Sequence, residues 1–366
     1  NTYGDLVPQL VSERLMASIP FASRYRLVDF LLSSMVHAGM DNIILMPTKN
    51  YYSLMDHLGA GREWDLVRKK GGLTIMPPFA ENISTNSTGR VPALAGISRL
   101  LSEQKEKYVI ISDANIAASF DFNDMIKAHE ASRADVTVVY KREKLPQCFL
   151  ENKRLGNSYY YTYTIGSENR VIDIDINSPI PEDVNYGMNI YILERQLLID
   201  LIYKASIDGG VYFERDVLLK YIDKLRIVGY EFKNYAARIT DMNSYFAESM
   251  KLLHDKNMDA LFSGGQVYTK VRDDNPAVYK KGAKAQNVVV SDGCIIEGEI
   301  SNSIIFRDVK IGKGARVSNC ILMQDTVIED GAVLDFVVTD KSACVTAGQA
   351  LKGTETHPVF VGKGKI

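Results

Sequence analysis

The chain reads as an α/β domain on a mostly parallel sheet, followed by a parallel β-helix, and three observations carry that reading. Short apolar runs of strand character alternate with helical patterns over residues 1–255. The helical signal stops after about residue 264. Beyond it, apolar residues recur in steps of six, the period of a β-helix whose three short faces make one triangular coil. The division expected is 1–255 for the α/β domain, 256–284 for a linker and 285–366 for the β-helix.

The elements follow in order. Asn42-Ile-Ile-Leu-Met46, ended by Pro47, has the form of a buried strand. Tyr108-Val-Ile-Ile-Ser112 and Asp135-Val-Thr-Val-Val-Tyr140 are two more. Between them Leu94, Ile97, Leu100 and Leu101, then Met125, Ile126 and His129, repeat at helix spacing. Strand and helix alternating at this distance predict a sheet covered on both faces, with chemistry at the C-terminal strand edge. Leu145 to Gly156 reads as a mobile loop, Tyr159–Ile165 as an aromatic-rich strand, and Asn185–Leu193 as a central strand. Helices are expected over Gln196–Lys204, Tyr212–Ile222 and Ser244–Leu253, with a strand at Arg226–Tyr230. In the C-terminal part Val288, Cys294, Ile300 and Phe306 step by six. The phase slips, and Val309, Ala315, Ile321, Val327, Val333, Thr339, Val345 and Leu351 continue, with Thr339 the one polar member. Residues 285–355 then make about four coils. The competing reading is an antiparallel sheet with accidental spacing. A β-helix has an open end and flat faces, so stacking into an oligomer is expected.

Composition bounds function. The 366 residues allow two or three domains at roughly 150 residues each. With 43 Lys and Arg against 45 Asp and Glu, the net charge is −2, which offers no global field for nucleic acid. No apolar run approaches the ~18 residues that cross a membrane. Cys148, Cys294, Cys320 and Cys344 never fall in CxxC spacing, so neither a zinc site nor a disulfide framework is indicated. Free thiols fit a reducing cytoplasm. The chain opens at Asn1 without Met, and further residues are expected before it.

The run Ser18-Ile-Pro-Phe-Ala-Ser-Arg-Tyr-Arg-Leu-Val-Asp-Phe30 resembles the Pro-Phe-x-x-x-Tyr-Arg-Leu-Ile-Asp-Phe run of glucose-1-phosphate adenylyltransferases, the ADP-glucose pyrophosphorylases. His57-Leu-Gly-Ala-Gly61 with Trp64-Asp65, Tyr108–Asp113, Gly187-Met-Asn-Ile-Tyr191 and Ser244-Tyr245 resemble further motifs of that family in the same order. The resemblance implies a Rossmann-like nucleotidyltransferase (GT-A-like) domain and a left-handed β-helix. It implies a reaction of ATP with glucose 1-phosphate to give ADP-glucose and pyrophosphate, for glycogen or starch synthesis. In-line attack of one phosphate on another demands a glycine-rich loop, lysines and two aspartates holding Mg²⁺.

Most of those parts are replaced. The glycine-rich loop falls near Asn1 to Leu6, where Gly4 is the only glycine. Met16 stands where the family has a phosphate-facing lysine. The Gly-Thr-Ala-Asp-Ala motif falls on Gly89-Arg-Val-Pro-Ala93, and no lysine lies in Ile176-Asn-Ser-Pro179. Asp113 keeps one metal aspartate, while Arg238 replaces the other. A cation there repels Mg²⁺ by several kcal/mol at ~4 Å and an effective dielectric of about 20. The resemblance places substrate-binding positions at Gly89, Gly187, Met188 and Tyr191, and effector-binding positions at Arg24, Arg26 and Lys49.

The pattern resembles the regulatory-type second subunit beside a catalytic subunit in some bacterial glycogen pathways. The expectation is an impaired nucleotidyltransferase without a cofactor of its own, with Mg²⁺ in the catalytic partner. It would form a homo- or heterotetramer and take a sugar-phosphate effector, without nucleic acid or membrane. The alternatives are an active enzyme with a rearranged site, and a hexapeptide-repeat acyltransferase, for which His357 is the one histidine in the repeat region. Arg238 is expected to pair with Asp113 across the metal position, and Arg26 with Asp29 or Glu63. Lys49, Arg62, Arg68, Lys69 and Lys70 form a local basic stretch, more simply a solvated helix face. The Tyr159–Tyr163 stripe is expected to pack as a strand, and His57 and His129 to be ordinary core or surface histidines.

Overall fold

A computed structural model describes residues 3–48, 50–76, 89–150 and 159–366. The α/β domain is a mostly parallel layer: of six strands in its main sheet, four share a direction and two are reversed, the long central strand among them. Strands Tyr108–Ser112 and Val136–Lys144 both run antiparallel to Asp183–Glu194, so they share a direction, and Ile227–Glu231 pairs in parallel with Val136–Lys144. Asn42–Leu45 and Gly72–Ile75 form a separate parallel pair. The Tyr stripe packs as expected: Tyr161–Ile165 pairs with Val171–Ile176, and Tyr160, Tyr161 and Tyr163 are buried.

Helix positions agree with the apolar spacing, and three segments differ in form. The Leu94–Leu101 pattern forms two helices, Arg90–Gly96 and Ser98–Ser102, because Ile97 between them leaves helical geometry. Tyr212–Ile222 is not regular α-helix. It is a widened π turn, Glu214–Leu218, followed by a tight turn, Leu219–Tyr221. Part of the expected loop, Gln147–Leu150, makes one helical turn that buries Cys148 and Phe149. The remainder of that loop, 151–156, lies outside the described residues.

The C-terminal part is a parallel β-solenoid of about five turns, since one face stacks six strands from Val278–Tyr279 to Gly364–Lys365. Residues 285–355 hold the four coils expected of them, and the fifth comes from chain outside that stretch, since the first coil begins upstream of residue 285. The stretch 256–284 therefore carries that first strand as well as the helix Asp255–Leu261.

The coil register also corrects the six-residue step. Ile300, Val317, Leu334 and Leu351 stack directly, 17 residues apart, one short of three faces of six. The inward positions therefore drift. Ile328 and Leu334 fill the interior, whereas Val333 is 42% exposed. Phe306 and Ile321 point outward instead, into a core shared with Phe21, Phe30, Tyr245 and Phe246 of the α/β domain. A buried Arg14–Asp340 ion pair at 2.6 Å joins the two domains beside that core.

Candidate functional site

The site grows from the end of the strand Tyr108–Ser112, where Asp113 leaves the sheet as expected for chemistry at a strand end. Two segments converge on it. The first is Gly89-Arg90, which opens the helix Arg90–Gly96. A Cβ on Gly89 would lie 2.4 Å from the Val211 carbonyl oxygen, and Val91 N donates to that oxygen at 3.1 Å. Gly89 thus serves close backbone packing that aims Arg90 inward. The second is the strand Asp183–Glu194, whose pairing shifts between Gly187 and Ile190. At this bulge Asn189 takes a positive φ of 55°, which Asn tolerates well. Its side chain turns to Asp113, while Met188 sits in the apolar core, 1% exposed.

The polar groups form one connected network. Arg90 Nη2 donates to Asp113 Oδ1 at 2.9 Å, and its Nη1 donates to Glu214 Oε1. Asn189 Nδ2 donates to the other Asp113 oxygen at 2.8 Å. The Tyr191 hydroxyl donates to Glu214 at 2.7 Å, and the Arg90 guanidinium lies 5.3 Å from the Tyr191 ring. Glu214 is 3% exposed and Tyr191 fully buried. Burial opposes the Arg90 charge, and Glu214 and Asp113 more than offset it, so its pKa stands above the ordinary arginine value. Burial, then Glu214, pushes the Tyr191 hydroxyl up.

Arg238 does not make the pair expected of it. Its Nε donates to Glu143 at 3.0 Å and its Nη1 to the Gly187 carbonyl at 2.7 Å. Its guanidinium lies 3.6 Å from the Tyr186 ring centre. These contacts commit it to Glu143 and to the bulged strand, while Asp113 is taken by Arg90 and Asn189. The Tyr186 hydroxyl in turn meets Tyr3 at 3.0 Å, and Tyr3 packs on Phe149. The segment aligned with the glycine-rich loop thus contributes a buried aromatic ring. Met16 is 3% exposed in the core shared by the two domains.

The effector positions lie elsewhere, toward the domain junction. Arg24 is exposed over Tyr25, and Lys49 lies outside the described residues. Arg26 gives its side chain to Ser53, at 2.6 Å to the carbonyl, rather than to Asp29 or Glu63; only its backbone N–H reaches Asp29, at 2.9 Å. Burial pushes Arg26 down to about 10. Burial, then Arg26 and Arg14, pushes Lys341 down to about 7. Lys363 pairs with Glu13 across the same junction. Arg68 of the basic stretch is taken up by Asp41 and Asp65 on the surface. His57 holds buried Asp29 at 2.6 Å and His129 holds Thr137 at 2.8 Å, both inside the fold.

Sequence reasoning missed Glu214, Glu143, Arg14 and Lys341. Glu214 and Glu143 sit in patterns that read as solvated faces, and nothing local marks them. Asn189 carried a signal, since a strand interior rarely takes Asn. No helix among the described residues is long and apolar enough to cross a membrane.

Comparison with known proteins agrees with this layout. Residues 9–149 match a nucleotidyl transferase family, and residues 272–356 a GlmU-like C-terminal hexapeptide family. The chain is 32% identical over 366 residues to the glycogen biosynthesis protein GlgD of Bacillus subtilis, covering all of this chain and 94% of that protein. It is 35% identical to GlgD of Geobacillus stearothermophilus, again over the whole chain and 94% of the relative. A glucose-1-phosphate adenylyltransferase of Bacillus cytotoxicus is 24% identical over 95% of this chain and 92% of that enzyme.

Proposed function

Because the chain belongs to the family of the glycogen biosynthesis protein GlgD and the glucose-1-phosphate adenylyltransferases, we propose that it is a regulatory, catalytically impaired subunit of such an adenylyltransferase in glycogen biosynthesis. It acts by assembling with a catalytic chain, in a tetramer, and shifting that partner between less and more active states. Such a shift requires contacts that differ between the two states.

One observation carries the reading: the Asp113 carboxylate already holds Arg90 and Asn189. The Mg²⁺ that the resemblance implies does not fit these residues. Arg90 stands on the retained aspartate, and the second aspartate position is an arginine committed to Glu143. Among the described residues no group of three His, Cys, Asp or Glu is placed to hold a metal ion. Met16 offers a buried thioether where a phosphate needs a cation. Loss of one electrostatic contributor of this type typically costs about 10²–10³ in rate. The Mg²⁺-dependent step is therefore assigned to the catalytic partner.

A sugar-phosphate effector finds its chemistry at the domain junction. Arg14, Arg26, Lys341 and Lys363 gather there from both domains, and Arg14 Nη1 is buried with no hydrogen-bond partner among the described residues. An anion at this place contacts both domains at once, which is how its binding would reach the assembly.

The test measures pyrophosphate formation from ATP and glucose 1-phosphate by this chain alone, by its catalytic partner alone and by the mixture. The expected result is negligible turnover alone and a changed rate or effector response in the mixture. High turnover by the isolated chain, or a mixture indistinguishable from the partner, refutes the reading.

A further inference from the structure

We propose that Arg90 is the resident cation of the Asp113 site: it takes within the chain the place that a divalent metal ion would take beside Asp113. The guanidinium spans two carboxylates from separate elements, Asp113 at the strand end and Glu214 on the π turn. The side chains of Arg90, Asp113 and Glu214 are 16%, 20% and 4% exposed. Each carboxylate has a second donor from the long reversed strand, Asn189 for Asp113 and Tyr191 for Glu214.

The arrangement has the logic of a metal site with the metal replaced. Mg²⁺ and Mn²⁺ are commonly held by one or two carboxylates with water filling the remaining positions. Here two carboxylates converge, and a planar fork with matching donor geometry fills the gap between them. Arg90 and Glu214 depend on each other. Glu214 without Arg90 is a buried charge lacking a counterion, and Arg90 without Glu214 loses the group that most favours its charge. The pair ties the strand end at Asp113 to the π turn without any ligand. This inference rests on groups within one chain, and its failure leaves the regulatory reading to the mixing assay.

The experiment follows thermal stability and Mn²⁺ binding, the latter by loss of the free-ion paramagnetic resonance signal. The wild-type chain is expected to melt at the same temperature in EDTA and in excess Mn²⁺. Arg90→Gln leaves two facing carboxylates, whose charge one divalent ion balances. It is expected to take up Mn²⁺ at least about tenfold more tightly than wild type and to melt higher in its presence. Arg90→Lys retains a cation, and Arg90→Gln/Glu214→Gln removes the second carboxylate, so both are expected to stay indifferent to Mn²⁺. Wild-type Mn²⁺ binding abolished by Asp113→Asn overturns the proposal. So does an Arg90→Gln chain that is folded yet unresponsive to Mn²⁺, or one that stays unfolded even with the ion in excess.

Discussion

Replacing Arg14 by alanine tests whether the two domains are held by a buried charge pair. Arg14 Nη2 meets Asp340 Oδ1 at 2.6 Å, and the side chains are 3% and 5% exposed. Alanine leaves the Asp340 carboxylate dry, with the Lys341 backbone N–H at 2.7 Å as its remaining donor among the described residues. Breaking a buried pair from one side costs about 3–5 kcal/mol, most of it the stranded charge. A loss of that size lowers Tm by roughly 4–7 °C in a chain this large. Arg14→Met/Asp340→Leu removes both charges, strands neither, and should lose no more than about 1–2 kcal/mol. Urea unfolding can be followed by the fluorescence of Trp64, the only tryptophan and 1% exposed in the α/β domain, and by circular dichroism for both domains. A single variant within about 1 kcal/mol of wild type, or a double variant as unstable as the single, refutes the reasoning.

Three further outcomes are expected. Leu334→Ala should cost about 2–5 kcal/mol while Val333→Thr is nearly neutral, because the 17-residue register turns Leu334 inward and leaves Val333 42% exposed; urea midpoints distinguish the two. Lys341 is held at about 7 in the folded chain, against about 10.4 unfolded, so the unfolded state binds more protons between those values. Stability should therefore rise as pH goes from 7 to 9, and Lys341→Met should flatten that slope and stabilise the chain at pH 7 by up to about 4 kcal/mol, read from Tm across pH. Restoring the family residues with Met16→Lys and Arg238→Asp would recover metal-dependent rate if sequence alone governed the site. The structure predicts no recovery and a less stable chain, because the lysine enters a core position 3% exposed and the aspartate faces Glu143.

The domain order, the strand-end aspartate and the solenoid were legible because each leaves a local or periodic trace. The strand Tyr108–Ser112 has the unbroken apolar centre Val109-Ile-Ile111, and Asp113 follows Ser112 directly. The solenoid was legible as a repeat but not in register, since losing one residue per coil is small against a six-residue step yet swaps Val333 for Leu334. Arg238 was legible as a substitution and not as a contact. Its partner Glu143 lies 95 positions away, across a ladder whose alignment the bulge at Met188-Asn189 decides.

What the chain's order of residues determined by itself is the pair of architectures and the loss of particular cations and acids, because hydrophobic period and residue identity are local properties. Only the tertiary structure decided that Arg90 reaches Glu214 across 124 positions, and that Arg14 meets Asp340 across 326. Long side chains choose among buried partners by distance and desolvation, and those are set once the sheet, the π turn and the solenoid have packed together.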